Sequence, residues 1–160
     1  MESKEEELLD ESNATNMQNS SSCQLIKATT EQLPQQISLK DVRKVSPAAL
    51  AYLGDAVYEL HMRMFYLLPP QRVESYHRLV VAQVRAETQA KILRSLTPYL
   101  RDTELEIVRR GRNAATKSPK RLEREIYQQA TSLETLIGYL YLTDSQRLTE
   151  LLQKLQLEKS

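Results

Sequence analysis

Two apolar helical segments of this chain each carry a glycine and a carboxylate near their centre. In the first segment Gly54 precedes Asp55, and in the second Glu134 lies four residues before Gly138. A glycine inside a helix costs about 1 kcal/mol relative to alanine, and the usual compensation is the close approach of another backbone. The simplest packing crosses the two helices at their glycines, which predicts that Asp55 and Glu134 lie close together.

Such a carboxylate pair is a candidate metal site. Like charges at short range repel each other unless a cation holds them together. Carboxylate oxygens suit Mg²⁺, which keeps several waters and accepts phosphate oxygens. We therefore expect Asp55 and Glu134 to bind Mg²⁺. The residues alone leave an alternative open, in which each carboxylate separately pairs with an arginine or caps a helix.

The remainder of the chain predicts an all-α fold. Only 3 glycines and no tryptophan occur in 160 residues, and strong helix formers predominate. Ser46 and Pro47 mark a helix start, followed by an apolar stripe at three- and four-residue steps. That stripe comprises Leu50, Leu53, Val57, Leu60 and Met64. Further helices are predicted over residues 73–96 (with a possible break near the middle), 104–112 and 122–142, and a last one after Asp144 or Ser145.

Charge divides the chain into two parts. Residues 1–36 carry seven acidic and two basic side chains, a net charge of −5, and the remainder has a net charge of +6. The first part is rich in Ser, Asn and Gln and lacks sustained apolar periodicity, which predicts a disordered acidic tail. Residues 37–160 are predicted to be the folded domain.

A basic cluster is the second feature that suggests a function. Its candidate binding residues are Arg109, Arg110, Arg112, Lys117 and Lys120. Such a cluster is typical of a surface that binds phosphates, although it is also compatible with a solvated helix face.

Other classes of protein are disfavoured. No apolar run approaches the roughly 18 residues of a membrane span, and the acidic N-terminus does not match a signal peptide. The lone cysteine, Cys23, suits a reducing compartment. We expect a cytoplasmic protein.

Residues 53–57 (Leu-Gly-Asp-Ala-Val) and 133–138 (Leu-Glu-Thr-Leu-Ile-Gly) together resemble the paired signature of the ribonuclease III catalytic domain. The resemblance is closer to the Mini-ribonuclease III branch, which has the nuclease domain alone. It includes residues 49–56 and the basic motif at 109–114, and it spans about 40–155. The resemblance implies a homodimer of ribonuclease III endonuclease-domain-like helical bundles, with no separate domain that binds double-stranded RNA.

The resemblance assigns roles residue by residue. Asp55 matches the catalytic, metal-binding aspartate of the first signature, and Glu134 matches the catalytic glutamate of the second. Ribonuclease III itself has two further acidic residues at its metal site, where this chain has Ala51 and Thr131. Mini-ribonuclease III shares these two departures. Tyr52 falls where the family places an aromatic dimer contact, with core packing as the alternative.

The implied function is Mg²⁺-dependent cleavage of double-stranded RNA, in the maturation of large-subunit (23S) ribosomal RNA. A catalytically inactive protein that binds RNA or the ribosome is the alternative, and the intact carboxylate pair favours the enzyme. A helical protein-interaction module would require both motifs and the basic cluster to be coincidental. Glu59 is interpreted as a partner of Arg63, with support of the metal site as the alternative, and Tyr127 is interpreted as a packing residue.

Overall fold

The computed structural model describes residues 37–155, and every regular element in this range is helical. The all-α prediction is therefore confirmed. The predicted tail, residues 1–36, lies outside the described residues. The α-helices are α1 (Leu39–Val42), α2 (Pro47–Tyr66), α3 (Val73–Val84), α4 (Ala86–Leu96), α5 (Asp102–Ala114), α6 (Arg124–Thr143) and α7 (Ser145–Gln153), and a 3₁₀ turn over Thr97–Tyr99 links α4 to α5. None of these helices is both long and apolar enough to cross a membrane.

Local sequence signals set most of the helix ends. The Ser46 hydroxyl accepts a hydrogen bond from the Ala49 N–H at 3.1 Å, so that α2 begins at Pro47 as predicted. Asp144 caps α7 by accepting from the Arg147 N–H at 2.9 Å. The predicted break in residues 73–96 falls at Arg85, whose extended backbone ends α3 and starts α4. The short helix α1 was not predicted.

Helix α6 is the centre of the bundle. It packs against α2, α4 and α5, and also contacts α7. Its middle is buried on nearly every face, through Leu133, Leu136, Ile137 and Leu140. A helix surrounded in this way is held by apolar burial, about 25 cal/mol per Å² of area removed from water. The position of Glu134 is consequently fixed by the core around it.

Each of the chain's three glycines lies where another helix meets α6. A Cβ added at Gly54 would overlap the backbone carbonyl of Glu134, and one at Gly138 would overlap the carbonyl of Leu50. Gly111 meets the same helix from α5. The predicted crossing of the two motif helices at their glycines is confirmed, and it brings the backbones of α2 and α6 into direct contact.

Helix α2 has two apolar faces. Tyr58 and Met62 are fully buried, whereas Leu60 is 57% and Met64 60% exposed. The stripe predicted from the sequence joined Leu60 and Met64 to the buried Leu50, so it is not a single core-facing surface. The exposed face consists of side chains that α3 to α7 leave uncovered.

A buried ion pair joins Arg147 of α7 to Glu104 of α5. Arg147 donates to both carboxylate oxygens of Glu104, at 2.7 and 3.0 Å, and to the carbonyl oxygen of Tyr99 at 2.7 Å. Glu104 also accepts from the Arg101 N–H at 2.9 Å. These bonds satisfy both charges, and they tie α7 to the start of α5.

Candidate active site

Asp55 and Glu134 lie on the wall of one cavity, of about 240 Å³, between α2 and α6. Ala51 and Thr131 line the same cavity. These are the two positions at which the ribonuclease III resemblance expects further carboxylates. All four positions of the family's acidic set therefore face one space, although only two of them carry a carboxylate here.

The environment of Glu134 disfavours the charged form of its carboxyl group. Burial among apolar side chains and repulsion by Asp55 raise its pKa from the ordinary 4.5 to about 7, with burial as the larger cause. The amide of Gln89 acts in the opposite direction and lowers the pKa. The pKa of the Glu134 carboxyl group therefore lies close to neutral pH, and a positively charged partner would favour its ionised form.

Asp55 is more exposed than Glu134. Burial raises its pKa, and the nearby negative charge of Glu59 adds to the shift. The negative charge of Asp55 is in turn the second cause of the raised pKa of Glu134, after burial. The two carboxyls therefore form one electrostatic pair.

Glu59 pairs with Arg63, as predicted. The Arg63 Nε donates to the Glu59 Oε1 at 3.0 Å, one helical turn further along α2. Both side chains are substantially exposed, so that the pair contributes little to stability. Glu59 does not line the cavity; it acts on Asp55 through its charge.

Tyr127 has a different position from the one predicted. The sequence interpretation made it a packing residue, but it lines the cavity beside Asp55 and Glu134. Tyr127 and Thr131 precede Glu134 by seven and three residues, which places all three on one face of α6. That spacing was the signal available in the sequence.

Gln89 is the second residue that sequence reasoning missed. It lies near the start of α4 and is only 1% exposed. Its amide is close enough to lower the pKa of Glu134, yet Nε2 makes no hydrogen bond of normal length and direction with any residue in the described range. No local pattern marks it, because the contact joins helices that are far apart in the sequence.

The basic cluster adjoins the cavity. Ala114 and Ala115, at the end of α5, form part of the cavity wall. The basic side chains stand on either side of these alanines in the sequence: Arg109, Arg110 and Arg112 before them, and Lys117 and Lys120 after them. Arg109 is partly neutralised by Glu106, to which its Nε donates at 2.9 Å. The remaining exposed cations, Arg112, Lys117 and Lys120, have no such acidic partner in the described part of the chain.

The residues present fit a hard divalent cation. The cavity offers carboxylate oxygens, and both causes of the raised pKa of Glu134, burial and then repulsion by Asp55, would be offset by a bound cation. Within residues 37–155, no group of three or more His, Cys, Asp or Glu side chains is arranged to enclose a metal. Two carboxylates in an open cavity would leave most of a metal's coordination sphere to water and substrate oxygens, an arrangement typical of Mg²⁺.

Comparison with known proteins agrees with this geometry. Residues 48–145 match the model of the ribonuclease III domain family. The chain is 60% identical over 116 residues to a Mini-ribonuclease 3 of Synechocystis sp., an alignment that covers 72% of this chain and 81% of that protein. It is 62% identical over 113 residues to a Mini-ribonuclease 3 of Synechococcus sp., covering 71% and 82% of the two chains.

A solved structure extends the agreement to the fold. A crystal structure of a protein from Fusobacterium nucleatum matches with a TM-score of 0.66 and 30% sequence identity, covering 71% of this chain and 94% of that one. The cavity and both signature motifs lie inside the region that the family model matches. The chain therefore belongs to the ribonuclease III family, in its Mini-ribonuclease III branch, and is an endoribonuclease.

Proposed function

We propose that this endoribonuclease depends on Mg²⁺, cuts double-stranded RNA and leaves 5′-phosphate and 3′-hydroxyl ends. The observation that carries the proposal is that Asp55 and Glu134 face one cavity whose wall includes Ala114 and Ala115, between the two parts of the basic cluster in the sequence. The carboxylates would bind Mg²⁺, and the basic side chains would bind the phosphate backbone of the substrate. A nucleic-acid phosphodiester is a substrate that uses both in one place, and the ribonuclease III family identifies the nucleic acid as RNA.

Each carboxylate has its own part in the proposed mechanism. A bound Mg²⁺ supplies a water of lowered pKa and neutralises charge on the scissile phosphate. Asp55, the more exposed anion, attracts and positions the cation. Glu134 releases its proton on binding and completes the pair from the buried side. The small side chains Ala51 and Ala115 leave room in the cavity for a phosphodiester group.

Binding of the RNA is proposed to rest on Arg109, Arg110, Arg112, Lys117 and Lys120. An A-form duplex is recognised by its shape, its 2′-hydroxyls and its phosphates rather than by base edges. Arg112, Lys117 and Lys120, which are exposed and form no ion pair within the described residues, are expected to contribute most. Each phosphate contact releases counterions, so that affinity falls steeply as the salt concentration rises.

We propose further that the active form is a homodimer that assembles through α2. Tyr52, Ala56, Leu60 and Met64 follow one another at four-residue intervals, and all four are exposed, with Tyr52 at 86%. Such a row forms a continuous ridge along a helix, which a second copy of the same helix can pack against. Tyr52 also lines the cavity, so this interface would adjoin the active site.

Substitution of Leu60 by glutamate is expected to give a monomer. The new carboxylate would have to be buried without a partner at the centre of the ridge, which weakens association by at least about 100-fold. Sedimentation equilibrium measures the change. The matched control is Leu105→Glu, since Leu105 is an exposed leucine on α5 and does not belong to the ridge. A dimer that survives Leu60→Glu would exclude this ridge as the interface.

The biological substrate is proposed to be a cytoplasmic precursor of large-subunit (23S) ribosomal RNA. The alternative is a protein on the same scaffold that binds RNA or the ribosome without cutting. That alternative is disfavoured by the raised pKa of Glu134, because a carboxyl pair without a catalytic use costs stability and would readily be replaced.

Cleavage of a long double-stranded RNA in Mg²⁺ tests the proposal. The intact protein is expected to cut it, and an excess of chelator is expected to lower the rate by at least about 1,000-fold, since two carboxylates alone cannot activate water. Gel electrophoresis measures the rate, and adaptor ligation identifies the 5′-phosphate. Returning Mg²⁺ should restore the activity.

Two comparisons make this test specific. Single-stranded RNA of the same sequence should remain whole, and a ribosomal precursor stem should be cut at a discrete position. Duplex that is retarded in a gel yet left uncut in Mg²⁺ would indicate the inactive RNA-binding protein. Equal cleavage with and without chelator would remove the metal from the mechanism.

A further inference from the structure

Gln89 is a polar side chain whose burial is not explained by the hydrogen bonds around it. Its Nε2 is buried and has no hydrogen-bond partner, and no other buried side-chain nitrogen or oxygen within residues 37–155 is left in this way. Leaving a buried amide donor unpaired is unfavourable, and such groups are rare in folded proteins. A methionine or leucine of similar size would fill the same space without this penalty. The amide therefore calls for a functional explanation.

The position of Gln89 supplies one. Helix α4 packs directly against α6, and the Gln89 amide is close enough to the carboxyl group of Glu134 to lower its pKa. Gln89 does not line the cavity that Asp55 and Glu134 share. It therefore approaches Glu134 from the protein interior, whereas a metal ion or substrate would approach from the cavity.

We propose that Gln89 is a positioning residue whose amide N–H donates to one oxygen of Glu134 when the other oxygen binds the cation. The inference rests on the Mg²⁺ dependence proposed above. A ligand carboxylate held from behind keeps its orientation and loses less freedom when the cation binds. The unpaired Nε2 gains its missing acceptor in the same step, so that cation binding and the hydrogen bond reinforce each other.

The alternative is a purely structural role, in which Gln89 only fills space between α4 and α6. The two roles predict different affinities for the cation in Gln89→Met, a substitution that keeps the length of the side chain and removes the amide. A positioning role predicts weaker cation binding with unchanged or higher thermal stability, because an unpaired polar group is removed from the interior. A structural role predicts unchanged cation binding.

Direct binding of Mn²⁺, measured by electron paramagnetic resonance without RNA and at constant pH, distinguishes these roles. The full-length Gln89→Met protein is expected to have a Kd for Mn²⁺ about 10-fold higher than the wild type. The matched control is Gln83→Met, since the Gln83 Nε2 donates to the Tyr66 hydroxyl at 3.2 Å, away from the cavity. That variant should lose thermal stability and keep the Kd of the wild type.

A second measurement needs no variant. In the nuclear magnetic resonance spectrum of the wild-type protein, the side-chain amide protons of Gln89 should move downfield when Mg²⁺ is added, because they gain a hydrogen bond to a charged acceptor. Unmoved amide protons, or an unchanged Kd in Gln89→Met, would overturn the proposal. A wild-type protein that binds no Mn²⁺ would instead refute the metal site, and with it the proposed function.

Discussion

Substitution of Gly54 by alanine is expected to destabilise the folded domain by at least about 4 kcal/mol, a large part of the roughly 5–15 kcal/mol by which a typical domain is stable. The added Cβ would overlap the carbonyl oxygen of Glu134 and lie 2.7 Å from its carbonyl carbon and 2.8 Å from the Gly138 nitrogen. These neighbours are backbone atoms of a central helix, so that no side-chain rotation can relieve the overlap. Denaturant unfolding followed by circular dichroism measures the loss.

Gly111→Ala is the matched control for this prediction. The nearest neighbours of its added Cβ are the Oγ1 and Cβ of Thr135, at 2.5 and 2.8 Å, followed by backbone at 3.1 Å. A side chain can yield where a carbonyl cannot, so we expect a loss of about 1–3 kcal/mol, smaller than that of Gly54→Ala. Equal stability of Gly54→Ala and the wild type would mean that α2 and α6 cross at a greater separation.

The glycines show why the main crossing of the fold could be predicted from the sequence. A glycine inside an otherwise apolar helix is unfavourable in isolation, and close approach of another helix is a common reason to retain it. Gly54 and Gly138 carry this signal locally, and each stands near a carboxylate. Helix ends were predictable for the same reason, since Ser46, Pro47 and Asp144 act on their own immediate neighbours.

The orientation of α2 could not be predicted in the same way. Its apolar residues cover two faces, one with Tyr58 and Met62 and one with Leu60 and Met64, and periodicity alone gives no preference between them. The face that turns inward is decided by α6, which is distant in the sequence. An exposed apolar face looks like a core face in the sequence until the bundle is assembled.

The residues of the candidate active site likewise differ in whether the local sequence could predict them. Asp55 and Glu134 belong to recognisable local motifs, whereas Gln89 reaches the site from α4 through a contact that no pattern encodes. The buried pair of Arg147 and Glu104 was missed for the same reason. The residues that we propose to provide the chemistry were predictable, and the contacts made from a neighbouring helix required the structure.

Glu134→Gln is expected to abolish catalysis and yet stabilise the metal-free protein at alkaline pH. The amide lacks the charge that holds a cation, so cleavage of double-stranded RNA should fall by at least about 100-fold. It also lacks the charge that burial and Asp55 disfavour. One substitution should therefore change activity and stability in opposite directions, which a general folding defect cannot do.

The dependence of stability on pH follows from the direction of the pKa shift. Folding raises the pKa of Glu134 from 4.5 to about 7, so the folded protein binds this proton more tightly than the unfolded chain does. The resulting stabilisation is complete below pH 4.5 and is lost as the pH rises through 7. Such a shift in pKa corresponds to a change of at most about 3 kcal/mol in the free energy of unfolding, and to less where solvent reaches the carboxyl group. The raised pKa of Asp55 acts in the same direction.

Denaturant unfolding in chelator at pH 5.5 and pH 8 measures this dependence. The wild type should be less stable at pH 8, Glu134→Gln should show a smaller difference, and the exposed Glu125→Gln on the same helix should follow the wild type. Mg²⁺ at pH 8 should stabilise the wild type and leave Glu134→Gln unchanged, because only an anionic pair gains from a cation. Parallel behaviour of the wild type and Glu134→Gln, with and without Mg²⁺, would mean that Glu134 carries no charge facing Asp55. The carboxylate pair would then not be the catalytic centre.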